Sequence, residues 1–296
     1  RKNMLNKEIL RSKWKEFKLS AYLLNRNLLT RISMIVLLLL ILSAIFAPML
    51  SPYPEDAINA THPEIALQAP SAAHIFGTDE LGRDILSKTI YGIRISLSSA
   101  LITVFFAMVV GTLLGAIAGS VGGILDEIIM RITDIFLSFP SLLLAIVIAA
   151  FLGPSLEHAQ MAMVISWWPW YTRIMRGEAI SIKERQYIKA ADTIGTPKLI
   201  SIFKHIIPNG LSPIIIQASQ DMGAVVLTVA SLGFLGLGAQ PPTPEWGLMV
   251  STSKSYFMNA WWYTVYPGAA IFITVLVFNV IGDGLREVLD PKTRKI

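Results

Sequence analysis

Residues 181–209 read SIKERQYIKAADTIGTPKLISIFKHIIPN, a polar stretch that lies between two strongly apolar parts of the chain. Ser181 and Glu184 have the S-x-x-E spacing of a capping box, which predicts a helix that begins at Ile182. Gly195 is suited to end this helix, because glycine adopts the left-handed conformation of a helix C-terminus without steric cost. The stretch therefore starts with a predicted short helix.

A second helix is predicted directly after the first. Thr196 is a good N-cap residue, and Pro197 is favoured at the first position of a helix. This helix is expected to run to about His205 and to end before Pro208. The whole stretch is thus predicted as helix, turn and helix.

The first predicted helix has one small, apolar face. Its residues recur at spacings of three and four: Tyr187, Ala190, Ala191 and Ile194. Such a face can dock into the groove of a partner protein, or it can pack against membrane helices of the same chain. The spacing is compatible with both arrangements.

The composition around this stretch is that of a membrane protein. Of 296 residues, 53% are hydrophobic and 15% are charged, whereas soluble domains carry roughly 25% charged residues. A spanning helix needs about 20 mostly apolar residues. Six stretches qualify, namely 32–50, 95–121, 135–152, 158–175, 213–235 and 262–281. We expect an all-α membrane protein with six transmembrane helices.

Lysine and arginine set the predicted orientation, because cytoplasmic loops are enriched in basic residues. Most of them lie before residue 32, around residues 173–204 and after residue 285, which places both termini in the cytoplasm. The expected organisation is a basic cytoplasmic segment (1–31), a first transmembrane helix (32–50), an extracytoplasmic loop (51–94), a transmembrane core (95–285) with the cytoplasmic loop 181–209, and a cytoplasmic tail (286–296).

Few residues are candidates for chemistry. Asp221 lies inside the fifth predicted span, with Gln217 one turn before it. A carboxylate within a membrane is costly and marks either a transport pathway or a hydrogen bond between helices. Both readings stay open. Asp221 and Asp283 together could also indicate an intramembrane aspartyl protease, although the sequence around neither matches such an enzyme.

Several motifs are absent from the sequence. It has no G-x-x-x-x-G-K-[ST] loop for ATP, no catalytic motif of the H-E-x-x-H or G-x-S-x-G type, and no histidine spacing typical of a metal site. It also contains no cysteine. We expect a chain that binds no metal or other cofactor, has no catalytic residues and is not an enzyme.

Part of the opening stretch resembles a known motif. YIKAADTIG followed by HIIPN is similar to the EAA loop of ABC importer permeases. Lys189, Ala190 and Ala191 stand at the EAA positions, and Gly195 and Pro208 match the glycine and proline of the motif. The sequence departs from the pattern at Lys189, where the family has glutamate, and at His205, where it has isoleucine.

Three further segments narrow the resemblance. FGTDELGRDILSKTIYGIRISL (76–97), SLGFLGLGAQPPTPEWGLMV (231–250) and GDGLREVLDP (282–291) are similar to the second-type permease subunit of dipeptide, oligopeptide and nickel importers. With the EAA-like loop, the similar segments extend over residues 76–291. The resemblance is specific for the family but not for the substrate.

The resemblance implies a type I ABC importer permease in the cell membrane of a bacterium or archaeon. It implies a homologous second permease, two cytoplasmic ATPases that carry ATP and Mg²⁺, an extracytoplasmic peptide-binding protein, contact with membrane lipid and no nucleic acid. The implied ATPase-coupling residues are Tyr187, Lys189, Ala190, Ala191, Ile194, Gly195 and Pro208. Asp221 and Gln217 are the candidates for the substrate pathway.

Alternatives remain at this stage. A short peptide is the expected substrate, and nickel or another small solute comes next. A secondary transporter and the aspartyl protease are the alternatives outside the family. The outer loop 51–94, with the QPPTPEWG segment, is expected either to meet the binding protein or to cap the outer mouth.

Overall fold

The computed structural model describes residues 24–289, and all the named elements in that range are helices. A π-helical segment, Ile202–Ile206, joins the helices Lys198–Ser201 and Ile207–Phe234. Most of the predicted segment 1–31 and of the tail 286–296 lies outside the described residues. The helices are α1 (Leu28–Ile45), α2 (Ala47–Leu50), α3 (Ile85–Val121), α4 (Gly123–Leu137), α5 (Ser141–Leu152), α6 (Leu156–Lys183), α7 (Gln186–Thr193), α8 (Lys198–Ser201), α9 (Ile207–Phe234), α10 (Trp246–Ser253) and α11 (Trp261–Leu289).

Four helices of the described part are long and apolar enough to cross a membrane. They are α1, α3, α11 and the continuous helix 198–234, which contains α8, the π-helical segment and α9. The pair α4 and α5 passes the same test as one span bent by 89°. Residues 24–289 are therefore helical throughout their named elements and contain four or five apolar spans, as expected of a multi-pass membrane protein.

The fourth predicted span, 158–175, lies within α6, which is not among these apolar helices. α6 buries residues along its whole length, from Ala159 to Ile182, against other helices of the chain. A membrane helix that is surrounded by protein does not need an apolar surface on every side. This burial explains why α6 gives the weakest hydropathy signal.

The third predicted span, 135–152, is wrong as one straight helix. α4 ends at Leu137, and Pro140 is the N-cap of α5. Proline at this position provides no backbone N–H, so the chain turns here instead of continuing the helix. α5 alone has 12 residues, about 18 Å of helix against a hydrocarbon core of about 30 Å.

The centre of the fold is the contact between α3 and α6. Gly111, Gly115 and Gly119 of α3 face the backbone of α6, and a methyl group at any of them would clash there. The partners at Gly111 and Gly115 are the carbonyl oxygens of Trp168 and Thr172. The repeated small residues thus allow two backbones to approach closely, as the G-x-x-x-G spacing predicts.

α3 begins ten residues before the predicted second span. Asp84 is its N-cap, and the Asp84 carboxylate accepts a hydrogen bond from the backbone N–H of Ser87 at 2.8 Å. The part of the segment 51–94 that precedes α3 therefore ends at Asp84, and the last ten residues of the segment form the start of α3. A cap residue provides a partner for a free N–H of the first turn and so fixes the helix start.

Candidate functional site

The predicted coupling loop follows the end of α6. α6 continues through Ser181 to Lys183, so Ser181 is inside a helix and the predicted capping box is wrong. Glu184 instead forms an ion pair with Lys189, with 2.8 Å between Oε2 and Nζ. The short helix α7 starts at Gln186, four residues later than predicted, with Arg185 as its N-cap. Because both groups of this ion pair are exposed, it contributes little to stability.

Gly195 ends α7 as predicted. Its φ is +80°, in the left-handed region that favours glycine. The N–H of Gly195 donates to the carbonyl of Asp192, and the N–H of Thr196 donates to the carbonyl of Ala191, both at 3.0 Å. This pair of bonds is the Schellman arrangement, which gives partners to carbonyls at a helix end.

The predicted docking face of α7 is open in the described structure. Ile194 is 83% exposed and Tyr187 is 44% exposed, while Ala190 is exposed and Ala191 is half-buried. Ile188, on another side of the helix, is fully buried and anchors α7. The four residues of the face therefore do not pack into the core of this chain.

Pro208 does not end a helix. The chain is helical from Lys198 to Phe234, and Pro208 lies in the first turn of α9. The π-helical segment precedes it, and the N–H of Ile207 donates to the carbonyl of Ile202 there. A wider turn of this kind helps a helix to accommodate the N–H that proline lacks. The predicted separate helix up to His205 is thus the beginning of the fifth predicted span.

The two predicted pathway residues are neighbours on α9. The amide of Gln217 donates to Oδ1 of Asp221 at 2.9 Å. Asp221 is 8% exposed, and Tyr171 and Trp167 of α6 lie beside its carboxyl group. The hydrogen bond from Gln217 lies within α9, and the carboxyl of Asp221 is buried where α9 packs against α6.

The outer loop contains a buried charge cluster that the sequence analysis missed. Asp79 is fully buried, and its Oδ2 accepts hydrogen bonds from Arg83 Nε and Lys88 Nζ, both at 2.7 Å. Burial alone would raise the pKa of Asp79, but the neighbouring charges of Lys88 and Arg83 outweigh burial and hold this pKa below its ordinary value. In the sequence, GTDELGRD (77–84) is recognisable only as part of a family motif, and the residue spacing does not indicate an ion pair between Asp79 and Lys88.

Further hydrogen bonds fasten the outer loop to α3. The Asp84 carboxylate is 3.0 Å from Nδ1 of His74, and the N–H of Asp84 donates to Asp56 at 2.7 Å. The segment 240–247 (QPPTPEWG) is fastened to the same helix, because the indole of Trp246 donates to the carbonyl of Thr89 at 3.0 Å. These contacts join the loop and residues 240–247 into one layer at the start of α3, which we call the outer layer after its predicted position, with a cavity of about 440 Å³ between the loop and residues 241–252.

Comparisons with known proteins place the chain in a family. Residues 111–295 match the family model described as binding-protein-dependent transport system inner membrane component. Residues 16–70 match the model of the N-terminal TM domain of oligopeptide transport permease C.

Two curated relatives are similar over most of their length. One is a dipeptide transport system permease protein DppC from Alkalihalophilus pseudofirmus, 48% identical over 92% of this chain and 88% of the relative. Another is the probable D,D-dipeptide transport system permease protein DdpC of Escherichia coli, 45% identical over 92% of this chain and 90% of the relative.

A solved structure supports the fold. The methionine ABC transporter MetNI, in an inward-facing conformation, contains a chain that matches with a TM-score of 0.56 at 20% identity. The match covers 69% of this chain and 97% of that one. The family model over residues 111–295 and the curated relatives show that the chain belongs to the family of binding-protein-dependent transport system inner membrane components.

Proposed function

We propose that the chain is a permease subunit of an ATP-driven importer of short peptides. The relatives at 45–48% identity are named as dipeptide permeases, and the similarity extends over nine-tenths of the chain. The importer contains a homologous second permease, two cytoplasmic ATPases and an extracytoplasmic peptide-binding protein. ATP and Mg²⁺ bind to the ATPases, and this subunit carries no nucleotide site of its own.

The proposed topology has six spans, with both termini in the cytoplasm. α6 is the fourth span, with one side packed against other helices of the chain, and the bent pair of α4 and α5 is the third. This places the outer loop and residues 240–247 outside the cell and α7 inside. Cysteine labelling tests the arrangement: Cys at Ile194 should react only with reagents on the cytoplasmic side, and Cys at Leu81 only with reagents outside.

α7 is the proposed coupling helix. The observation that carries this proposal is its apolar face, which stays exposed although Ile188 of the same helix is buried. Exposed apolar residues at helical spacing fit a groove of a partner protein. Tyr187, Ala190, Ala191 and Ile194 enter a groove of an ATPase, Lys189 lies at the edge of that contact, and the turns at Gly195 and Pro208 hold the helix in place. Closure of the two ATPases then moves α7 and, through it, the membrane helices.

A pair of substitutions on α7 tests the docking. Ala191→Arg introduces a long charged side chain on the proposed face, and we expect it to abolish ATP-dependent peptide uptake and copurification of the ATPases. Thr193→Arg introduces the same side chain on another side of the helix and should leave both intact. Wild-type uptake in Ala191→Arg contradicts the docking proposal. Copurification of two P-loop ATPases with the wild-type chain also distinguishes an importer from a secondary transporter or an aspartyl protease, since both of those work without ATPases.

The outer layer is the proposed contact with the peptide-binding protein. The loop 51–84 and residues 240–247 are fastened to α3 and so present a stable outer surface. A photo-crosslinker at exposed Ile58 should attach to the binding protein in the assembled importer. If no crosslink forms from several exposed positions of this layer, the loop is a cap and not a docking surface.

Asp221 and Gln217 remain proposed pathway residues. Gln217 lines a cavity at the inner half of α9, whereas Asp221 is nearly covered by α6 and holds the amide of Gln217. We therefore propose that Gln217 meets the peptide and that Asp221 acts mainly through Gln217.

A further inference from the structure

A cavity of about 580 Å³ opens between the ends of α6, α9 and α11 that lie nearest α7. Its charged and amide-bearing lining residues are Glu178, Arg185, Asn209, Gln217, Gln220 and Arg286, and we call it the inner cavity. Pockets that bind small molecules commonly have volumes of about 300–1,000 Å³. The inner cavity therefore has room for a short peptide.

The lining face of α9 is unusually polar for a spanning helix. Asn209, Ser212, Gln217 and Gln220 all border the cavity, and together they form one side of α9 over about three turns. Polar side chains inside a membrane are costly when they face lipid, and they usually face protein or a water-filled space. In a permease that encloses a pathway with a second permease, this face belongs to the pathway.

The cavity also presents charges of both signs that are not paired with each other. Among residues 24–289, Glu178, Arg185 and Arg286 take part in none of the ion pairs that the structure shows. Arg176, two residues before Glu178, is paired in contrast: its guanidinium group donates two hydrogen bonds, of 2.6 and 2.8 Å, to the carboxylate of Asp126. One carboxylate and two guanidinium groups thus remain free to meet a ligand.

We propose that the inner cavity is a binding site for zwitterionic short peptides, occupied just before release into the cytoplasm. This inference rests on the proposed function and specifies which groups of the substrate are recognised. Glu178 binds the α-ammonium group, and Arg286, with Arg185, binds the terminal carboxylate. The NH₂ groups of Gln217 and Asn209 already donate to Asp221 and to the carbonyl of His205, so their amide oxygens are oriented to accept a hydrogen bond from the peptide N–H between the two termini. Charge-assisted hydrogen bonds of this kind are stronger than neutral ones and select for free termini.

Inhibition by peptide inside vesicles measures this site separately from the binding protein. The complete importer is placed in liposomes with ATP and unlabelled dialanine trapped inside, and binding protein with labelled dialanine is added outside. Trapped dialanine should slow uptake in the wild type, because it occupies the inner cavity from the cytoplasmic side. N-acetyl-dialanine and dialanine amide each lack one charged terminus and should inhibit only at much higher concentration.

Two substitutions assign the termini. Glu178→Gln should raise the half-inhibitory concentration of dialanine roughly tenfold, the range expected for loss of one charge-assisted hydrogen bond, and should not change that of N-acetyl-dialanine. Arg286→Gln should act likewise on dialanine and not on dialanine amide. Glu127→Gln is the matched control, because it removes an exposed carboxylate of α4 that does not line the inner cavity. Its half-inhibitory concentration of dialanine should equal that of the wild type.

The outcomes separate the two proposals. If the wild type takes up no dialanine in the presence of ATP and binding protein, the proposed function as a peptide importer fails. If the wild type takes up dialanine but trapped dialanine does not slow this uptake, only the inner-cavity proposal fails. The same conclusion holds if trapped dialanine inhibits uptake by Glu178→Gln and Arg286→Gln as strongly as uptake by the wild type. A variant that fails to assemble would lose the ATPases on purification. Glu178→Asp then provides a milder substitution, which should also raise the half-inhibitory concentration of dialanine.

Discussion

Lys189 of α7 forms an ion pair with Glu184, which lies just before that helix, with 2.8 Å between Nζ and Oε2. This contact explains how a lysine is tolerated where the family pattern has glutamate. The lysine charge is matched within the loop, and the hydrogen bond from Lys189, with its charge, lowers the pKa of Glu184 below the ordinary value.

The first prediction concerns this ion pair. Lys189→Ala should leave thermal unfolding unchanged, because both side chains of the pair are largely exposed and exposed pairs stabilise proteins little. Uptake should also stay close to the wild-type rate, which is measured with labelled dialanine in liposomes. A strong loss of uptake would mean that Lys189 itself touches the ATPase.

The second prediction concerns the end of α7. Gly195→Ala places a side chain at a φ of +80°, where a non-glycine residue costs about 1–2 kcal/mol. We expect the loop to loosen locally and ATPase activity to become less dependent on peptide. Gly177→Ala is the control, since Gly177 lies within α6 with open space around it and should tolerate the methyl group. Hydrogen exchange of the Gly195 and Thr196 amides measures the local effect, and equal protection in wild type and Gly195→Ala would contradict it.

The third prediction concerns the contact between α3 and α6. Gly115→Ala should destabilise the chain by about 1–3 kcal/mol, because the methyl group meets the backbone of α6. Gly268→Ala in α11 is the matched control, as nothing lies within 4 Å of the added methyl group. The melting temperature of the purified importer should fall for Gly115→Ala alone. Equal melting temperatures would mean that α3 and α6 can separate without cost.

The fourth prediction concerns pH and the outer loop. Ionised Asp79 is stabilised by Lys88 and Arg83, so its pKa is lower in the folded than in the unfolded chain. Its contribution to stability is present above the unfolded value of about 3.9 and is lost as the pH falls through the folded pKa. The melting temperature should therefore decrease as the medium outside is acidified below about pH 4.

A substitution at Asp79 tests the same cluster at neutral pH. Asp79→Asn leaves buried Lys88 without its paired carboxylate and Arg83 with Glu80 alone, and breaking a buried pair commonly costs about 3–5 kcal/mol. It should also remove the part of the acid sensitivity that Asp79 provides. Glu64→Gln changes an exposed carboxylate of the same loop and should have neither effect. A melting curve of Asp79→Asn that matches the wild type would contradict the role of this cluster.

The fifth prediction concerns Asp221. Asp221→Asn keeps a group that can accept the hydrogen bond from Gln217, so it should preserve the fold while removing the charge. If Asp221 acts mainly through Gln217, Asp221→Asn should reduce uptake less than Gln217→Ala does. Initial uptake rates at several peptide concentrations give the comparison. A larger loss in Asp221→Asn would mean that the carboxylate itself meets the peptide.

Local sequence rules predicted correctly those features that depend on neighbouring residues alone, such as a helix end or an apolar span. Gly195 ends α7 because only its own backbone conformation matters there, and α1, α3 and α11 follow from runs of apolar residues. The S-x-x-E pattern at Ser181 was misleading, because a helix interior accommodates the same residues. The span 158–175 was predicted within α6, but α6 is less apolar than the other spans because much of one side packs against neighbouring helices.

The long-range contacts were not predictable from spacing. The partners of Asp79 and Trp246 depend on how the outer loop folds back onto α3, over separations as large as 157 residues for Trp246 and Thr89. The inner cavity combines residues of three helices that are distant in the sequence. Gln217 was identified beforehand only because it lies one turn from a carboxylate within a span.

The π-helical segment between α8 and α9 fixes the angular position of the coupling loop. An α-helix turns by about 100° per residue, so one residue added or removed at Ile202–Ile206 would rotate α7 around the axis of α9 by about that angle. The exposed face of α7 would then point away from its present direction, although every residue of the face was unchanged. The docking proposed for α7 therefore depends on the number of residues in this short connection as much as on the chemistry of the face itself.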